Sequence, residues 1–144
     1  MPKTPLQDFF QNDRFANYVG VELLEASPGK AKARLQIADR HRNAAGVVHG
    51  AAIFSLADLA FAVASNSHGP LALGVNVAIS YLKAAVSGTL TAEAEEVALT
   101  AKLGTYAVRV VDEQGTPIAL FQGTVYRKGQ GGQQNGPILS DIVS

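Results

Sequence analysis

Between His49 and Asn66 the chain reads HGAAIFSLADLAFAVASN, a run with one formal charge, on Asp58, and with neither Gly nor Pro from Ala51 to Asn66. It is too long for a strand and rich in Ala and Leu, so it is expected to be a helix, apolar on nearly every side. Such a helix is stable only where the rest of the chain wraps it. The acid at its centre then needs an account, because burying an unpaired carboxylate costs several kcal/mol or forces it to take up a proton.

The flanking segments supply the wrapping. VGVELLEA and KAKARLQIAD lie on either side of Ser27-Pro28-Gly29, with Ala31, Leu35 and Ile37 facing opposite to Lys30, Lys32, Arg34 and Gln36, the alternation of a hairpin. His68-Gly69-Pro70 is expected to end the helix. After it come LALGVNVAISYLKAA, TLTAEAEEVALTA, TYAVRVVDEQG and TPIALFQGTVYRKG, separated by turn residues and expected to form a four-stranded meander. Ahead of the hairpin, Leu6, Phe9, Phe10 and Phe15 suggest a short amphipathic helix over 6–18, packed like a lid. The order predicts an α+β fold in which one long helix covers one face of a curved antiparallel sheet. Residues 1–128 form this single domain, and the Gly/Gln-rich 129–144 are expected to be a mobile tail, with PILSDIV as a docking candidate.

At 144 residues one domain can bury a core without staples. Twelve Lys and Arg balance twelve Asp and Glu, so no net field draws the chain to nucleic acid or to an anionic membrane; its expected partners are small molecules and its own copies. The absence of cysteine removes disulfides and thiolate chemistry. No signal-peptide core and no apolar run of about twenty residues is present, which predicts a soluble, cytoplasmic protein. His41, His49 and His68 do not have metal-ligand spacing, and neither a G-x-S-x-G elbow nor a phosphate loop occurs, so no metal and no cofactor are expected.

Asp58 is open to three readings: an acid satisfied by solvent or by Ser55, an acid buried at an interface, or a catalytic group. Gly50 and Ala51 sit at the helix start, where small residues leave backbone N–H groups and the positive end of the helix dipole open to an incoming oxygen. Glycine as a plain helix-entry residue is the simpler alternative. From Gly50 to Asp58 is eight residues, about 12 Å of helix. An attacked carbonyl needs its oxygen about 3 Å from the donors. One chain therefore cannot offer both groups to one substrate, whereas two antiparallel helices about a two-fold axis can. If Asp58 is catalytic, a homodimer follows.

Asn43, then His49-Gly50, then the LAD of Leu56 to Asp58 followed by AFAVASNSHG, resembles the hotdog-fold acyl-CoA thioesterases, with the phenylacetate-degradation (PaaI-type) subgroup nearest. The similarity runs from about Phe15 to Arg127. It implies a hotdog fold, dimers that pair into tetramers, and hydrolysis of acyl-CoA thioesters. Carried over, Asp58 would be the catalytic carboxylate, Gly50 the oxyanion-hole amide, and His49 and Asn43 polar residues that orient the thioester or the water. Where the family usually has His-Gly-Gly, this chain has Ala51, a methyl that narrows the approach and affects acyl fit.

On this reading Asp58 acts as general base or as nucleophile. The acyl pocket would draw on Leu59, Phe61, Ala62 and Val63 beside Ala51, although the same residues would also be core in any protein of this fold. Lys83, with Arg109, Arg127 and Lys128, is the candidate for the phosphates of CoA, although ordinary solvated charge is the plainer account of each. His49 and Asn43 each have a structural alternative, as a loop anchor and a turn former. Two rivals stand beside hydrolysis: a hotdog hydratase or dehydratase, whose His-Phe-Pro-Gly type entry is missing at Val48 to Ala51, and a non-catalytic acyl-CoA binding module.

Overall fold

The structure, a computed structural model, describes residues 5–129. The expected tail lies outside them apart from Gly129. Helices α1 (Pro5–Phe10) and α2 (Arg14–Val19) precede strands β1 (Val21–Ser27) and β2 (Lys30–Gln36), a single 3₁₀ turn (Asp39–His41) and the long helix α3 (Gly50–Ser65). Strands β3 (Ala72–Tyr81), β4 (Thr89–Leu99), β5 (Leu103–Val111) and β6 (Pro117–Arg127) complete it. All six strands form one antiparallel sheet in the order β1-β2-β4-β5-β6-β3, and α3 lies across its inner face. The expected hotdog architecture is what forms.

Three local expectations are corrected. The N-terminal helix is two helices, because Asp13 starts a new one: its Oδ1 accepts the Ala16 N–H at 3.0 Å. Gly20, at φ +99°, ends that helix with its N–H on Ala16 O. The long helix stops at Ser65, ahead of Gly69-Pro70, because the Asn66 side chain takes over its end. Its Nδ2 donates to the carbonyls of Ala62 (2.8 Å) and Ala72 (3.1 Å), and its Oδ1 accepts the Ala72 N–H.

The third correction concerns the meander, which holds only for β4-β5-β6. Strand β3 instead pairs with β6 at the far edge, with Ile79 opposite Phe121 and Val77 opposite Gly123. Residues 82–88 then cross the start of α3, held by Val48 N–H to Ala85 O at 2.8 Å and Ile37 N–H to Gly88 O at 2.9 Å. That crossing sets β4 beside β2, Leu90 opposite Leu35 and Ala92 opposite Ala33. The alternation that buries Leu90, Ala92 and Ala94 suits an interior strand, while β3 leaves Val75 and Tyr81 exposed at the edge.

The core lies between α3 and the sheet, built on Leu35, Leu56, Leu90, Val108, Ile118 and Phe121. Phe61 packs on Phe121 (ring centroids 5.3 Å apart) and edge-on to Tyr106. Its ring also closes on Gly123 of β6, where an added Cβ would come within 2.6 Å of it. Expected to be apolar on nearly every side and wrapped by the chain, α3 is buried at Ala52, Ile53, Leu56, Ala57, Leu59 to Phe61 and Val63 to Ser65. Ala51, Ser55, Asp58 and Ala62, with the half-buried Phe54 whose ring reaches Phe121 of β6, form a stripe that is not fully buried.

Candidate active site

The stripe begins at the N-terminus of α3. His49 caps the helix: its Nδ1 accepts the Ala51 N–H at 2.9 Å, which leaves Nε2 to carry the proton in the neutral ring. The Ala51 amide is thereby engaged, while the Gly50 N–H has no hydrogen-bond partner among the described residues. A free amide at the positive end of a 16-residue helix is a site for developing negative charge. Tyr81, at the end of β3, covers Gly50: its hydroxyl donates to Gly50 O at 3.0 Å, and a Cβ on Gly50 would lie 3.0 Å from its ring. Glycine here lets the Tyr81 ring approach, a requirement that nothing in the sequence spacing signals.

His49 is aimed by the loop before it. Its own N–H donates to His41 O at 2.7 Å, and His41 is buried, its ring bonded to Ala38 N–H and to Val19 O. Asn43 turns its Oδ1 back into the loop, accepting the N–H groups of Ala45 (2.9 Å) and Val47 (3.2 Å). In the single chain Asn43 therefore shapes the loop that carries His49.

Two hollows open along the stripe. One, of about 250 Å³, is lined by His49, Ala51, Ser55, Phe15, Tyr18 and Arg42 among others. The other, of about 170 Å³, holds Asp58 with Asp13, Phe15, Ala16, Phe54 and Leu59. Asp58 is open to solvent at its rim, yet the walls around it withdraw enough water to push its carboxyl above the ordinary range, and the charge of Asp13 adds to this. Because α3 runs unbroken from Gly50 to Ser65, about 12 Å of helix separates Gly50 from Asp58, as the sequence requires. A larger hollow, of about 360 Å³, lies on the outer face of the sheet over Lys32, Glu93 and Arg109; it shares no residue with the other two. The free amide and the unpaired acid both lie on the stripe.

The remaining candidates divide. Ala62 lies on the stripe and Leu59 lines the Asp58 hollow, whereas Phe61 and Val63 take the core alternative, the Phe61 ring closing over the strand glycines. Lys83 follows Tyr81 by two residues and faces the exposed Asp112, whose carboxyl is held low first by the Thr116 N–H, with Lys83 contributing. Arg127 and Lys128 lie at the other end of β3, about 30 Å along the strand from Tyr81, with Arg127 donating to Thr100 O at 2.7 Å. Of the four cations Lys83 is nearest in the chain to the covered Gly50. Among the described residues no group of three or more His, Cys, Asp or Glu could hold a metal ion, and no helix is long and apolar enough to cross a membrane. From the sequence Phe15 reads only as part of the lid and Asp13 carries no signal; their place at Asp58 comes from the packing of α2 on α3.

Comparison with known proteins identifies the family. Residues 45–119 match the family model described as the thioesterase superfamily. A protein of Archaeoglobus fulgidus named "Putative esterase" is 50% identical over 119 residues, 82% of this chain and 77% of that one. The acyl-coenzyme A thioesterase PaaI of Escherichia coli K12 is 33% identical over 121 residues, 83% of this chain and 86% of the relative. The solved structure of the E. coli PaaI protein superposes with a TM-score of 0.82 at 32% identity, covering 85% of this chain and 89% of that one. The chain belongs to the thioesterase superfamily, as a PaaI-like hotdog-fold thioester hydrolase.

Proposed function

We propose that this protein is a cytoplasmic homodimer, pairing into a tetramer, that hydrolyses an aryl- or acyl-CoA thioester at sites shared between two chains. The observation that carries the reading is the pairing of a free helix-start amide with an unpaired, proton-hungry carboxylate, too far apart on one helix to serve one carbonyl. In the dimer, the Gly50 N–H of one chain receives the thioester oxygen as it gains charge, and Asp58 of the other removes the proton of the attacking water. The tetrahedral intermediate then expels the CoA thiolate, which takes that proton from Asp58. His49 Nε2–H points the second donor at the same oxygen or at the water, and Asn43 holds the loop that aims it. Lys83 serves the CoA phosphates.

An aryl group suits the aromatic walls of the Asp58 hollow, Phe15 and Phe54. Phenylacetyl-CoA is the first substrate to try, since the E. coli relative of known structure comes from the phenylacetic acid degradation operon. Free-thiol release from phenylacetyl-, benzoyl-, hexanoyl- and acetoacetyl-CoA, with native protein and with Asp58→Asn, tests the reading. Release by the native protein that collapses in the variant supports it. Binding without release by both would make the chain an acyl-CoA binding module.

A further inference from the structure

The Asp58 hollow contains a second acid that the mechanism above does not use. Asp13 is half-buried, and its Oδ1 accepts the Ala16 N–H at 3.0 Å, which starts α2. The same carboxylate lines the hollow with Asp58, so two like charges face one 170 Å³ space. Among the described residues no cation lines that space. From α2 the other walls are Phe15 and Ala16, and from α3 they are Phe54, Ser55 and Leu59. From β1, Glu22 borders the neighbouring hollow beyond Leu59, and it is paired with Arg34 at 3.3 Å. An Asn or Ser would start α2 equally well, since these residues cap helices as effectively as Asp. The cap therefore does not require the negative charge.

We propose that Asp13 is a positioning residue of the site, whose one carboxylate both starts α2 and sets a second negative charge against Asp58. The proposal rests on the reading of Asp58 as the group that accepts the water proton. A like charge facing a carboxylate disfavours its ionised form and strengthens it as a base. The upward displacement of the Asp58 carboxyl, caused first by its walls and then by Asp13, has the sign this requires. The capping bond ties the charge to the position of α2, so the helix that roofs the hollow also sets the basicity of the acid beneath it.

Asp13→Asn separates the two roles, because it keeps the cap and removes the charge, whereas Asp13→Ala removes both. The titration of the Asp58 side-chain carbon is followed by carbon NMR in the full chain, beside the pH profile of kcat/KM for phenylacetyl-CoA and the melting temperature. The expected result is that Asn moves both the Asp58 titration and the acid limb of the profile to lower pH, with a melting temperature no lower than native. Ala moves them equally but melts below the Asn variant, because it has lost the cap. An Asp58 titration that stays in place in Asp13→Asn overturns the proposal and leaves Asp13 as a helix cap. Should Asp58→Asn keep full hydrolysis, the catalytic reading fails, yet the NMR titration still decides whether Asp13 acts on Asp58.

Discussion

Two carboxylates border α3, and the protein treats them in opposite ways. Asp58, on the helix itself, makes no hydrogen bond with any described residue, faces another acid, and has its carboxyl pushed up by its walls and by that neighbour. Glu96, on β4 beside the turn that follows α3, has one oxygen bonded by His68 Nε2 at 2.7 Å and by the Tyr106 hydroxyl at 2.8 Å. Burial alone would raise the Glu96 carboxyl. The hydrogen bonds of Tyr106 and His68, with the charges of His68 and Arg127, outweigh it and hold the group low, while the phenol of the buried Tyr106 is driven up by burial and by Glu96. The difference separates an acid that has collected its donors within the fold from one whose lone pairs the fold leaves open, as the proposed base would need.

Substitution should break this contrast first at Asp58. Asp58→Asn is expected to lower kcat for thioester hydrolysis by about 10²–10⁴, the usual worth of a positioned base, while leaving the melting temperature at neutral pH no lower than native. Gly50→Pro comes next. Proline is favoured at the first helical position and His49, at ψ 138°, tolerates a following proline, so the change removes the free N–H and nudges only the end of Tyr81. A loss of about 10²–10³ in kcat, with near-native stability, is expected in steady-state assays. Glu96→Gln should do the reverse. It weakens two charge-assisted hydrogen bonds and costs about 1–3 kcal/mol in chemical denaturation, with kcat near native.

The smallest effect is in the pH dependence of stability, and its sign differs at the two acids. Glu96 binds its proton less tightly in the folded state, so its stabilisation is present above its unfolded pKa and is lost as pH falls through its lower folded value. Asp58 binds its proton more tightly when folded, so it opposes folding once pH rises through its raised value. Melting curves against pH for the two amide variants should therefore diverge from native on opposite sides: Glu96→Gln converges with native in acid, and Asp58→Asn gains over native as pH rises.

The sequence shows what repeats or stands alone, and it is silent on what must meet across the fold. The long helix, the hairpin and the strand runs follow from period and turn residues. The eight-residue spacing of Gly50 and Asp58 fixes their separation once a helix is granted. The place of β3 was not legible, because sequential strands usually pair and nothing in 82–88 announces a crossing. Neither was the split at Asp13, since one apolar spacing fits one helix or two. Tyr81 at Gly50, Phe61 over Gly123 and the turn of Asn43 into its own loop all depend on tertiary contact. His49 reads as a candidate donor from its position, but the ring nitrogen it has to spare is fixed only by its bond to Ala51.

The central claim, that each site draws on two chains, is tested most directly by mixing two disabled proteins. Asp58→Asn and Gly50→Pro chains, unfolded together and refolded at equal amounts, form heterodimers in which one site carries both defects and the other carries neither. With half of the dimers mixed, thioester hydrolysis should recover to about a quarter of the native rate, from parents that are each nearly inactive. Recovery to no more than the mean of the two parents, with heterodimers demonstrated by mass, would contradict the account and place the whole reaction within a single chain.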